Sequence, residues 1–159
     1  MRTDILPFCD SFGYQIRMTH RAIQRRLQAI IEPYGVTLGM WYFLRVLWVR
    51  DGLTQRELSN LVGTMAPTTL SAIRTMEQSE LIFRKKNDDD ARKINIFLTE
   101  KGRSLEKTLL PRARALLNEA STGLTPKETK ELLRMVKVIQ ENLNEDLGPA
   151  PEVDTDTAK

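Results

Sequence analysis

Leu53-Thr54-Gln55-Arg56-Glu57-Leu58-Ser59, continuing through Gly63, Pro67 and the basic run Arg84-Lys85-Lys86 to Gly102, is the stretch from which the fold can be read. Thr54 and Glu57 have the spacing of a capping box: the hydroxyl accepts from the Glu57 backbone N–H, and the carboxylate reaches back. Leu58, Leu61 and Val62 mark one apolar face of a short helix. Gly63 ends it, because only glycine enters the left-handed conformation without steric cost. Pro67 opens a second helix, where its missing N–H costs nothing, and that helix is expected to run to Ser79. Two short helices joined by a tight turn make a helix-turn-helix. Residues 81–86 and 93–98 then predict two paired strands, with Ile94, Ile96 and Leu98 on one face and a polar loop, Asn87 to Arg92, between them. Thr99 caps the next helix, and Glu100 suits its first turn. The expected core, about 37–99, is therefore a helix-turn-helix followed by a β-hairpin, or wing.

Working outward, the apolar residues Phe8, Phe12, Ile16, Ile23, Leu27, Ile30 and Ile31 recur at helical spacing up to Pro33. Arg17, Arg21, Arg25 and Arg26 fall on the other face, read as solvated. His20 falls on the apolar face and is read as a buried, hydrogen-bonded histidine. Thr37 caps a second helix, about 38–50, so rich in large apolar groups that it must be covered on more than one side. A long helix, about 100–122, carries Leu105, Leu109, Ala113, Leu116 and Ala120 on one stripe. Pro111 inside it predicts a kink or local break. A second capping box, Thr125 with Glu128, starts a last helix with Leu132, Val136, Ile139 and Leu143 on a coiled-coil-like seam. Residues 148–159 are small, polar and proline-rich, and are expected to be a disordered tail. The fold class is mainly α with a small β-hairpin wing. The helices at about 8–35 and 100–147 are expected to pack together within one chain and against a second copy by two-fold symmetry.

The 159 residues predict a single domain with a real core. No apolar run of about 18 residues is present, so no membrane span is expected. The N-terminus lacks the layout of a signal peptide, and Cys9 is the lone cysteine, so a reducing cytoplasm is the expected setting. One histidine, one cysteine, no Gly-rich phosphate loop and no metal-ligand spacing argue against an enzyme and against any cofactor. The acidic run Asp88-Asp89-Asp90 lacks a second ligand cluster. The net charge of +3 is modest, so a nucleic-acid reading rests on where the charge sits.

The segments Leu53 to Ser59, Met76-Glu77 with Leu81-Ile82, Asp90-Ala91-Arg92-Lys93, and Leu98-Thr99-Glu100-Lys101-Gly102 together resemble the MarR-type (multiple antibiotic resistance regulator) family of bacterial transcription regulators. Flanking helices extend the resemblance over most of residues 8–147. It implies a homodimeric winged helix-turn-helix protein that binds double-stranded DNA, as a repressor responsive to a small effector. The chain departs from many relatives at Glu80, where they carry Gly, and at Ala91, where they carry Arg.

A two-fold dimer would present its second helices to successive major grooves and read a pseudo-palindromic site. Ile73 and Met76 are expected inward, Thr69, Leu70 and Ala72 are ambiguous, and Thr68, Ser71 and Arg74 are assigned to the DNA face. Arg74 suits guanine O6 and N7, with a phosphate contact or a surface ion pair as the alternatives. Thr64 in the turn can donate to a phosphate. In the wing, Arg84, Lys85, Lys86, Arg92 and Lys93 concentrate positive charge. Arg92 can enter the minor groove. Asp90 is expected to hold the Arg92 guanidinium, a role the resemblance also implies. Asp88 and Asp89 sit awkwardly beside phosphates. The resemblance further implies a pocket where the first, second and fifth helices meet, with Trp41 beside His20 or Arg17, for a small aromatic acid or phenol. Two alternatives stand: a winged-helix module that binds protein, and a regulator sensing oxidants through Cys9. Asp4 and Asp10 oppose a thiolate there, which favours an inert, half-buried thiol.

Overall fold

The structure is a computed structural model that describes residues 7–87, 90 and 92–143. The expected tail, Asp88, Asp89 and Ala91 lie outside these residues. A 3-10 turn, Phe8–Asp10, leads into α1 (Phe12–Ile31), capped by Ser11, and a second 3-10 turn, Glu32–Tyr34, follows it. Next come α2 (Leu38–Val49), β1 (Leu53–Thr54), α3 (Gln55–Val62), α4 (Ala66–Gln78), β2 (Ile82–Lys86), β3 (Ile94–Leu98), α5 (Glu100–Ala120) and α6 (Pro126–Leu143). The sheet is antiparallel in the order β1-β3-β2, with Leu53 opposite Ile96 and Arg84 opposite Ile96 on the other side. The strand β1 goes beyond the expected hairpin, because two residues carry no periodicity. It pins the start of the helix-turn-helix to the wing.

The Thr54–Glu57 box forms as expected, with the Thr54 N–H donating to Glu57 at 2.8 Å. Those bonds to Thr54 favour the ionised form and hold the Glu57 carboxyl below its ordinary range. Gly63 ends α3 at φ 71°. The core gathers Ile31 from α1, most of α2, Leu58, Ile73 and Met76 from the two short helices, Ile96 and Leu98 from the wing, and Leu109 from α5. Ile96 and Leu98 face inward as expected, but Ile94 is exposed, because the hairpin projects past the core at that end. Helix α5 runs unbroken through Pro111, so of the expected kink or local break the break does not occur.

The end of α4 shows how the chain manages without glycine. Glu80 takes φ 59°, making it the positive-φ residue other than glycine among those described. Its N–H donates to the Glu77 carbonyl at 3.0 Å, and the Leu81 N–H to the Met76 carbonyl at 2.9 Å. This bond pair is a Schellman closure, which ordinarily places glycine at that position. A left-handed L-residue costs about 1–2 kcal/mol. Glu80→Gly is therefore expected to raise stability by about 1 kcal/mol, after the added freedom of the unfolded chain is discounted. Urea denaturation at fixed pH measures it, and a lower midpoint would contradict the strain.

Gly102 sits where α5 begins, and here space rather than backbone angle demands glycine. A Cβ there would lie 2.1 Å from the Leu81 carbonyl oxygen. That carbonyl accepts from the Thr99 N–H at 3.0 Å, and the Gly102 carbonyl accepts from Trp48 Nε1 at 2.9 Å. The start of α5 is thus clamped between α2 and the junction of α4 with the wing.

The terminal helices depart from expectation. Among the described residues α6 buries no side chain, and Leu132, Leu133, Met135, Val138 and Leu143 are exposed. Phe12 is 66% exposed, and Ile16 and Met18 are open as well. Within one chain α1 packs on α5 as expected, and Arg26 is bridged to Glu119 at 2.9 Å, but the stripe of α6 stays open. His20 and Cys9 are both exposed, against the expected burial.

Candidate nucleic-acid interface

The helix-turn-helix is held by a chain of hydroxyls. Thr69, wholly buried on the inner face of α4, donates to Ser59 Oγ at 2.9 Å, and Ser59 donates to the Thr64 carbonyl at 2.7 Å. Thr64 Oγ1 lies 2.8 Å from Thr69 Oγ1. This resolves the ambiguous Thr69 inward and ties the Thr64 hydroxyl into the turn. Ile73 and Met76 are buried as expected. Thr68, Ser71 and Arg74 lie exposed on one outer face, while Leu70 and Ala72 are partly buried at its margins. Arg74 makes no ion pair among the described residues.

The wing carries its cations in two different states. Arg84 is clasped by Glu77 through both carboxylate oxygens, with Nε at 3.1 Å. That partner raises the guanidinium's already high pKa. Arg84 therefore braces β2 against the end of α4, whereas the sequence pattern groups it with the open cations. Glu77 is the residue that pattern misses; its only signal is an acid seven positions before Arg84 in a basic strand. Lys86 and Arg92 are exposed, and the Arg92 guanidinium has no partner among the described residues. Asp90 does not fork the Arg92 guanidinium. Its Oδ1 accepts from the Arg92 backbone N–H at 3.1 Å, and its Oδ2 lies 3.8 Å from Lys93 Nζ. The carboxylate bends the loop, because a backbone donor two residues on is closer than the end of a long side chain. Arg56 and Asn60, one turn apart on α3, share a cleft with Arg50 and Lys93 at the base of the wing.

A second concavity lies away from this face. A cavity of about 240 Å³ opens between α1, α2 and α5, lined by Ile23, Leu27, Trp41, Arg45, Leu110 and Arg114 among others. Trp41 is in it as expected. Arg17 and His20 are not; they lie on the exposed earlier part of α1, and the cations at the cavity are Arg45 and Arg114. Helix periodicity locates the helices but not the depth at which they cross.

A two-helix reader joined to a hairpin with open cations defines a winged helix-turn-helix protein. The sequence model of the MarR family matches residues 36–94. The transcriptional regulator TtmR of Methylorubrum extorquens is 26% identical over 129 residues, 80% of this chain and 64% of TtmR; the chain thus spans just under two thirds of that relative. The HTH-type transcriptional repressor Rv2887 of Mycobacterium tuberculosis is 25% identical over 125 residues, 79% of this chain and 90% of Rv2887. The Staphylococcus aureus MepR–DNA complex has the same fold, with TM-score 0.78 and 22% identity over 83% of this chain and 98% of MepR. The family match covers 59 of the 159 residues, so the segment that carries the helix-turn-helix and the wing is similar to the MarR family. Among the described residues no helix is long and apolar enough to cross a membrane, and no cluster of metal ligands occurs.

Proposed function

We propose that the protein is a homodimeric, sequence-specific DNA-binding transcription regulator, a repressor that releases a pseudo-palindromic operator when a small effector binds. The observation that carries the DNA reading is the outer face of α4, with Thr68, Ser71 and Arg74, beside the open cations Lys86 and Arg92 of the wing. Recognition helices enter the major groove while wings track the flanking backbone or minor groove. The relationship to Rv2887, a repressor, and to MepR, captured on DNA, supports it. The uncovered stripes of α1 and α6 support the dimer, since large apolar side chains exposed along one helix face call for a partner. An isologous interface made of both would cover them in one step. The cavity at Trp41 supports the effector: apolar walls with Arg45 and Arg114 at the edge suit a small aromatic carboxylate or phenolate.

Sedimentation of the purified chain, followed by selection from a random duplex pool, tests the reading. The expected result is a dimer that enriches an inverted repeat with half-sites about one helical turn apart. A monomer that enriches nothing would refute it. Leu132→Glu together with Leu133→Glu is expected to yield monomers and to weaken duplex binding with them, because each charge would be forced into the shared apolar seam.

The Glu77–Arg84 clasp yields a separate expectation. Glu77→Gln removes the charge that holds Arg84 on β2 and frees it for a phosphate. Affinity at low salt should rise, and the log–log salt slope should steepen by about 0.9 for each additional phosphate neutralised. Fluorescence anisotropy over a salt series measures this. An unchanged slope would show that Arg84 remains a brace without its partner.

A further inference from the structure

Met65 breaks two local rules at once. It is the N-cap of α4, with extended backbone at φ −73° and ψ 149°, and it makes no side-chain cap. Serine, threonine, aspartate or asparagine at such a position would satisfy a free helix N–H. The other α-helix starts in this chain use Ser11, Thr37, Thr54, Thr99 and Thr125 for that purpose. Met65 is also 77% exposed, matched among the exposed large apolar side chains of the described residues only by Leu143 at the end of α6. In the proposed dimer a second copy covers the apolar stripe of α6; Met65 lies outside that stripe, in the turn between α3 and α4. A side chain that forgoes a cap and sits bare in water gains nothing for the isolated chain. Such local inconsistencies mark places where a sequence serves binding rather than folding.

The surroundings say what it binds. Met65 lines a cleft of about 450 Å³ with Gln55, Arg56, Asn60 and Thr64, between the outer side of α3 and the start of α4. Around Met65 and Ala66 the lining groups are one cation, Arg56, and the hydrogen-bonding Gln55, Ser59, Asn60 and Thr64, so an apolar partner there would have to sit inside a polar, anionic surface. The major groove of duplex DNA has that character. Among the base pairs, only those with thymine present a methyl group on the groove edge, and apolar side chains recognise it. The N-terminal residues of a recognition helix are the ones that reach base edges. We infer that Met65 is a specificity-determining residue that reads a thymine C5-methyl group in each half-site. This rests on the DNA-binding reading above and adds the identity of one base.

The test uses the full chain and the duplex enriched by selection. Each thymine is replaced in turn by deoxyuridine, which removes one methyl group and leaves base pairing intact. At one thymine per half-site the replacement should weaken wild-type binding roughly threefold to fivefold, the value of burying one methyl-sized group. Met65→Ala should weaken binding to the thymine duplex at least as much, and should show no further loss with deoxyuridine at that position. Met65→Ser, which supplies a cap, should lose the methyl dependence while its melting temperature rises; that gain separates lost recognition from lost folding. Wild-type binding indifferent to every deoxyuridine, or losses that multiply between Met65→Ala and each replacement, would overturn the inference and leave the DNA reading standing. A wild-type protein that binds no duplex overturns both.

Discussion

Gly102→Ala should lower stability by about 4 kcal/mol, a large part of the roughly 5–15 kcal/mol that holds a domain of this size. The reason is the nature of the neighbour. The added Cβ would meet the Leu81 carbonyl oxygen at 2.1 Å and a Leu98 methyl at 3.1 Å. A flexible side chain could swing aside; a main-chain carbonyl held by the Thr99 N–H cannot. Relief requires lifting the start of α5, which also pulls Thr99 Oγ1 off the Glu80 carbonyl and the Gly102 carbonyl off Trp48. Overpacking of this kind costs about 1–3 kcal/mol, and a lost part-buried hydrogen bond about 1 kcal/mol more. Gly39→Ala is the control. It lies in the first turn of α2, its Cβ would stand 3.7 Å from Thr37 Oγ1, and helix propensity favours alanine. That variant should be neutral or slightly stabilised. Equal denaturation midpoints for the two variants would show that α5 can move off Leu81 without cost.

Arg92→Ala should weaken operator binding by about two orders of magnitude. Each dimer would present two such guanidinium groups, and a hydrogen bond to a charged group contributes about 1.5 kcal/mol. Two of them amount to about 3 kcal/mol, or roughly a hundredfold. The assignment is clean because Arg92 has no competing partner among the described residues; Asp90 engages its backbone and Lys93 instead. If the guanidinium lies in a narrow minor groove, the variant should also lose any preference for A·T-rich flanks. If it neutralises phosphates, the salt slope should flatten by about 0.9 for each one. Arg134→Ala serves as the comparison, since Arg134 is paired with Glu131 on α6, away from the wing. Unaltered duplex binding by the Arg92 variant would favour the reading of this fold as a protein-binding module.

The helix-turn-helix is legible in the sequence because its signals are local. A capping box, a terminating glycine and a proline at the first turn act over four or five residues, and the observed bounds of α3 and α4 differ from the expected ones by a residue or so. The apolar stripes of α1 and α6 are legible too, but not what covers them. Periodicity shows that a face needs a partner and is silent on which partner: α1 finds α5 within the chain, as expected, while α6 buries no side chain there. The same limit displaces the cavity residues: Arg17 and His20 are on the right helix but the wrong turns, and Arg45 and Arg114 come from α2 and α5. Arg84 and Asp90 show a further one. Charge counts locate a basic ribbon, whereas the clasp with Glu77 depends on β2 returning beside the end of α4, which no short-range pattern encodes.

The three linked hydroxyls of Ser59, Thr64 and Thr69 bear on how any signal could reach the operator. A hinge inside that corner would strand polar atoms away from water, so the reader and its supporting helix travel as one piece. In the proposed dimer, switching would then have to change the separation or tilt of two whole reading heads across the symmetry axis, and geometry between subunits would be the quantity that an inducer controls.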